Sequence, residues 1–135
     1  MIRLTKSVET PPSLLVVGNS TYNQQDVVSQ LIEDHKGKCY LCERICITDY
    51  EIEHLKSSAN KRELNTSWDN LFLSCSYCNR KKLQLFDNIV NPTTQNIEEI
   101  IQCVHLAENK NICFCSNELE NQQVEETINL LHRIF

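Results

Sequence analysis

Only two glycines and three prolines occur in 135 residues. So little backbone punctuation excludes a collagen-like or low-complexity chain. Long apolar runs are missing as well: none approaches the roughly 18 residues a membrane-spanning helix needs. The first ten residues carry Arg3, Lys6 and Glu9 where an export signal would be apolar. No membrane role is therefore expected, and the cytoplasm is the expected compartment. Basic residues are outnumbered 13 to 18, for a net charge of −5, which argues against a general nucleic-acid coating protein. Hydrophobic residues reach 41%, too many for a disordered chain and enough for one small core in a chain of single-domain length.

Cysteine, by contrast, is plentiful, with eight copies. Four of them form two pairs, Cys39-Tyr40-Leu41-Cys42 and Cys75-Ser76-Tyr77-Cys78. Two such C-x-x-C turns bring four soft donors to one tetrahedral ion at about 2.3 Å each, the geometry of a closed zinc site. A redox dithiol would use one pair and leave the other unexplained, and a secreted disulfide scaffold would need an export signal. Structural Zn2+ on Cys39, Cys42, Cys75 and Cys78 is the expectation, a staple that supplements a small core. Cys46, Cys103, His35, His105 and His132 lack ligand spacing and read as core or surface residues, while Cys113 and Cys115, on a strand and expected on opposite faces of it, read as free buried thiols.

Charge is unevenly spread. Residues 36–82 hold nine Lys or Arg against six Asp or Glu, whereas residues 1–35 sum to −2 and residues 83–135 to −6. The middle segment is the one suited to phosphate. Around it the chain reads as an irregular arm over residues 1–22, with Pro11-Pro12 excluding helix and an apolar stretch at 14–17 able to dock on the core. A helix follows, capped by Asn23, with Val27, Val28, Leu31, Ile32 and His35 on one face and Gly37 at its stop. Residues 38–47 read as a hairpin turn around the first cysteine pair, 50–55 as a short strand, 56–67 as a polar loop, and 75–86 as a helix starting inside the second pair. Trp68 reads as core. Beyond Asn91-Pro92, residues 97–106 match an amphipathic helix, 111–115 a strand and 124–134 a last helix.

Glu53-His54, Asn70 and Asn79 lie between and just after the cysteine pairs. With the cysteines they resemble the ββα-metal finger of HNH endonucleases in its zinc-knuckle form, over residues 36–86. The resemblance implies a small, mainly helical α+β domain built around that finger. It divides the chain into an arm and helix (1–35), the finger (36–86) and a helical segment (87–135). His54 matches the first His of the motif, Asn70 the central Asn, and Asn79 the last position; Glu53 stands where many members have Asp.

Hydrolysis of a phosphodiester needs a base for water and a sink for charge on the leaving 3′ oxygen. Imidazole, with a pKa of about 6.5, suits the first task, so His54 is expected as the general base; its other ring nitrogen then needs an acceptor, and the resemblance implies the Asn70 carbonyl in that role. Oxygen donors from Glu53 and Asn79 suit catalytic Mg2+ or Mn2+. Arg80, Lys81 and Lys82, directly after Asn79, are expected to meet phosphate.

A looser resemblance extends further, through the opening Met1-Ile2-Arg3-Leu4, Ile52-Glu53-His54-Leu55, residues 68–82, 86–92 and Glu126-Thr127-Ile128-Asn129-Leu130-Leu131. These look like the HNH proteins of Septu-type and retron-associated anti-phage systems. This implies nucleic acid, expected to be DNA, as substrate and an ABC/SMC-like ATPase as partner. The alternatives from other classes are a non-catalytic zinc-knuckle binding module and a stand-alone restriction-type nuclease.

Overall fold

Burial of Val27, Val28 and Leu31 at helical spacing turns one face of α1 (Gln25–Asp34) inward in the computed structural model, which describes residues 1–18, 21–59, 61–106, 111–118 and 120–135. The N-cap is Gln24 rather than Asn23, and no side chain caps it. The helix ends where Lys36 and Gly37 take positive φ, and the Gly37 N–H donates to the Ile32 carbonyl at 2.8 Å. Gly37 is needed for two reasons. Its φ of +67° favours a residue without Cβ, and an added Cβ would stand 2.9 Å from Ile47 Cγ1.

The chain then turns through the first cysteine pair, closed by a bridge between Lys38 and Ile45. Strand β1 (Tyr50–His54) pairs antiparallel with β2 (Leu71–Cys75), Tyr50 opposite Cys75 and His54 opposite Leu71. Every residue of β2 is buried, as expected of an apolar run covered on both faces. Tyr40 N–H donates to the Leu73 carbonyl at 2.9 Å, locking the cysteine turn to this strand. Helix α2 (Ser76–Lys82) begins at once, with Cys75 as N-cap. It stops earlier than sequence periodicity suggests: Leu83 has φ +48°, and a short 3-10 turn replaces the last residues of the expected helix.

The largest correction lies in residues 97–106. Ile97, Ile100, Ile101 and Val104 fit a helical repeat, yet only α3 (Ile97–Ile100) is helical, and β3 (Gln102–Leu106) pairs with β4 (Asn111–Cys115) in a second antiparallel sheet. Cross-strand partners supply what the helix would have lost: Cys103 faces Phe114 and Val104 faces Cys113, a β-branched and aromatic set that favours strand. The C-terminal segment is thus mixed rather than helical, and the fold is a small α+β one with four helices and two two-stranded sheets among the described residues. Cys113 and Cys115 are not the buried, opposite-facing thiols expected: two apart on β4 they share one face, Cys113 partly exposed and Cys115 exposed.

Helix α4 (Gln122–Ile134), capped by the Asn121 side chain, joins two apolar clusters. Leu130 and Ile134 pack with Val27, Leu31, Trp68 and Phe72; Val124 and Leu131 pack with Val90, Ile97, Ile101 and Phe114. The N-terminal arm is strapped across the first cluster. Lys6 Nζ donates to the Trp68 and Leu71 carbonyls and sits 3.8 Å from the Trp68 ring centre, while Trp68 Nε1 donates to Ser7 O at 2.9 Å. Of residues 14–17 only Leu14 is buried; Leu15, Val16 and Val17 are exposed. Among the described residues, no helix is long and apolar enough to cross a membrane.

Candidate metal centre and active site

The four cysteines of the two pairs converge. Their sulfur atoms all lie within 4.8 Å of one another, with Cys42 and Cys75 at 3.9 Å. A tetrahedral zinc with bonds of about 2.3 Å requires sulfur–sulfur edges of roughly 3.8 Å, so this donor set fits the ion with small adjustment. Cys39, Cys75 and Cys78 are buried and Cys42 is partly exposed. Cys75 Sγ also accepts from the Cys78 N–H at the N-terminus of α2, at 3.5 Å. Hydrogen bonds from Cys42 and Cys78 pull the Cys39 thiol down, while Cys39 as its partner pushes Cys42 up to about 11. Such a cluster holds charge at one sulfur and protons at others until a cation takes their place. Cys46 stays outside the cluster, its thiol pushed up to about 12 by burial. Among the described residues no second group of this kind is found.

The four clustered cysteines lie on the turn before β1, at the end of β2 and in α2, and beside them β1 and α2 wall a cleft of about 660 Å³. Glu53, His54 and Asn79 line it together with Tyr22, Ser57, Ser58 and Lys82. Asn79 and Lys82 are three apart on α2 and hence share a face.

His54 ends β1, half-buried, with the Tyr22 ring packed edge-on at 4.6 Å between centroids. Its Nε2 lies 3.0 Å from the Asn65 backbone carbonyl. A carbonyl only accepts, so the proton sits on Nε2 and Nδ1 keeps its lone pair. Burial lowers the His54 pKa, the Asn65 carbonyl opposes this and the Lys82 charge adds to it, leaving the ring neutral near pH 7.

Asn70 differs from expectation. Its side-chain carbonyl accepts from Lys56 N–H at 2.8 Å, and its Nδ2 donates to the carbonyls of Lys56 at 2.9 Å and Leu64 at 3.0 Å. It is 6% exposed. Asn70 therefore clamps the loop that carries Asn65, and the Asn65 carbonyl, not the Asn70 side chain, holds the His54 ring. No sequence signal marks Asn65, because its contribution is a backbone atom.

Lys82 is the other correction. Its side chain is 1% exposed, with Nζ 2.9 Å from Glu53 Oε1 and 2.9 Å from the His54 carbonyl. It cannot meet a phosphate from this position. Arg80 is exposed and Lys81 partly so, with Lys81 Nζ 5.4 Å above the Tyr77 ring, and these two remain free to do so. Glu53 is 8% exposed; burial raises its carboxyl pKa and the Lys82 ammonium pulls it back. The i, i+3 spacing of Asn79 and Lys82 was the signal that could have separated Lys82 from its two basic neighbours.

A carboxylate, a neutral imidazole and a carboxamide, from Glu53, His54 and Asn79, thus line one cleft on the unit formed by β1, β2 and α2. Residues 39–84 match the family model of the HNH endonucleases, which supports that family for this segment. No curated protein and no solved structure matches the chain.

Proposed function

We propose that this protein is a metal-dependent endonuclease that hydrolyses phosphodiester bonds, with DNA as substrate. The observation that carries the reading is the convergence of Glu53, His54 and Asn79 on one cleft inside the segment that matches the HNH family. His54 Nδ1 takes the proton of the attacking water, and the Nε2–H bond to Asn65 keeps that lone pair available. Asn70 maintains the loop, and Arg80 and Lys81 engage the phosphate backbone outside the cleft. Glu53 and the Asn79 carbonyl would hold Mg2+ or Mn2+, oxygen donors suited to a hard cation, which would supply Lewis-acid stabilisation of the leaving 3′ oxygen. Zn2+ on the four cysteines serves structure alone.

The biological setting belongs to the same proposal. Resemblance to defence-associated HNH proteins and the −6 balance of residues 83–135 support an anti-phage effector in the cytoplasm that relies on an ABC/SMC-like ATPase to deliver substrate. The test is cleavage of duplex DNA, single-stranded DNA and RNA with Mg2+ or Mn2+, with and without the ATPase recovered by pull-down. Cleavage lost in His54→Ala at unchanged zinc content supports the reading. A folded, zinc-loaded protein that binds nucleic acid but cuts none of the substrates under either condition would make it a binding module instead.

A further inference from the structure

The cleft already holds a cation, and it is the protein's own. Lys82 Nζ touches Glu53 Oε1 and the His54 carbonyl oxygen at 2.9 Å each, two oxygens converging on one charge. Both partners of this ion pair are buried, at 1% and 9% side-chain exposure. Removing one partner from such a pair leaves the other an uncompensated buried charge, so Glu53 is held firmly while Lys82 is in place. A divalent ion drawn to the Glu53 carboxylate meets that ammonium in the same space, and two cations do not share one carboxylate at this depth without strong repulsion.

We infer that Lys82 is an exchangeable internal cation: it occupies the position beside Glu53 in the metal-free protein, and a divalent ion binds by displacing its ammonium into the cleft. The inference rests on Glu53 being a metal ligand, as in the function proposed above. No bond is made or broken; one cation replaces another at a carboxylate. Lys82 shares the Asn79 face of α2, so displacement requires only a change of side-chain rotamer toward a cleft that the residue already lines. Lys82 thereby sets the apparent metal affinity, because a site occupied for most of the time by a competitor binds in proportion to its free fraction.

The experiment uses the zinc-loaded full chain and reads Mn2+ binding by titration with electron paramagnetic resonance detection of free ion. Lys82→Met is expected to bind Mn2+ roughly tenfold or more tightly than the unaltered protein, and Glu53→Gln to abolish this binding. Equal or weaker binding by Lys82→Met, with Glu53 dependence intact, overturns the exchange. Binding indifferent to Glu53→Gln overturns the metal-ligand reading and the exchange with it. A second measurement needs no substitution at Lys82. The ammonium protons of the buried lysine should give a slowly exchanging nitrogen-15 signal in metal-free protein that disappears as Mg2+ saturates the site. Persistence of that signal at saturation also overturns the inference.

Discussion

Replacing Asn70 by Asp separates two ways in which this residue can serve His54. The side chain makes three hydrogen bonds to loop backbone, accepting one from Lys56 N–H and donating two, to the Lys56 and Leu64 carbonyls. Each is worth about 1 kcal/mol net, so Asn70→Ala should destabilise by roughly 3 kcal/mol. Asp keeps the acceptor and the shape but sets a carboxylate oxygen against two carbonyl oxygens at 2.9 and 3.0 Å. Lost donors and lone-pair repulsion at a nearly buried site make Asn70→Asp at least as harmful, roughly 3–5 kcal/mol. That is a large part of the 5–15 kcal/mol typical of a whole domain. Urea unfolding of the zinc-loaded protein measures the shift, and cleavage should fall with it as the Asn65 carbonyl leaves the His54 ring. If the Asn70 carbonyl instead oriented His54 directly, Asp would preserve that acceptor. Near-normal stability and cleavage in Asn70→Asp would refute the clamp.

Cys75→Ser should lose zinc and unfold or aggregate, since Cys75 is both a member of the sulfur cluster and the cap of α2; a well-folded variant without bound metal would count against a structural zinc. Burial lowers the His54 pKa, so the neutral base persists below the ordinary imidazole value. The acid limb of kcat/KM should accordingly lie below about pH 6.5, and a limb above 7 would contradict the buried, Nε2-protonated ring. Gly37→Ala should destabilise by about 1–2 kcal/mol through its positive φ and its contact with Ile47, read as a lowered Tm; an unchanged or raised Tm would mean that the turn relaxes freely. With Lys82 buried against Glu53, Arg80→Ala and Lys81→Ala should each weaken nucleic-acid binding and shallow its salt dependence by close to one ion, whereas unchanged slopes would move the phosphate path elsewhere.

The sequence by itself determined the features that depend on neighbours along the chain. Two C-x-x-C turns bring sulfurs together because covalent geometry leaves so short a loop few alternatives, and α1, α4, β1 and β4 follow from local periodicity. The pairing of Glu53 with His54, and the place of Asn79 on the helix after the second cysteine pair, were legible for the same reason. Tertiary structure decided the rest. Residues 102–106 became strand because β4 offered cross-strand partners that outweighed a plausible helical repeat. Asn70 turned to Lys56 and Leu64, and Lys82 to a carboxylate 29 residues away, since polar groups carried inward by packing take whatever partners lie within reach. Which member of Arg80, Lys81 and Lys82 is sacrificed to the interior is a matter of how α2 is rotated against β1. That rotation goes with the packing of Cys75 and Cys78 into the cysteine cluster and with the apolar core beneath it.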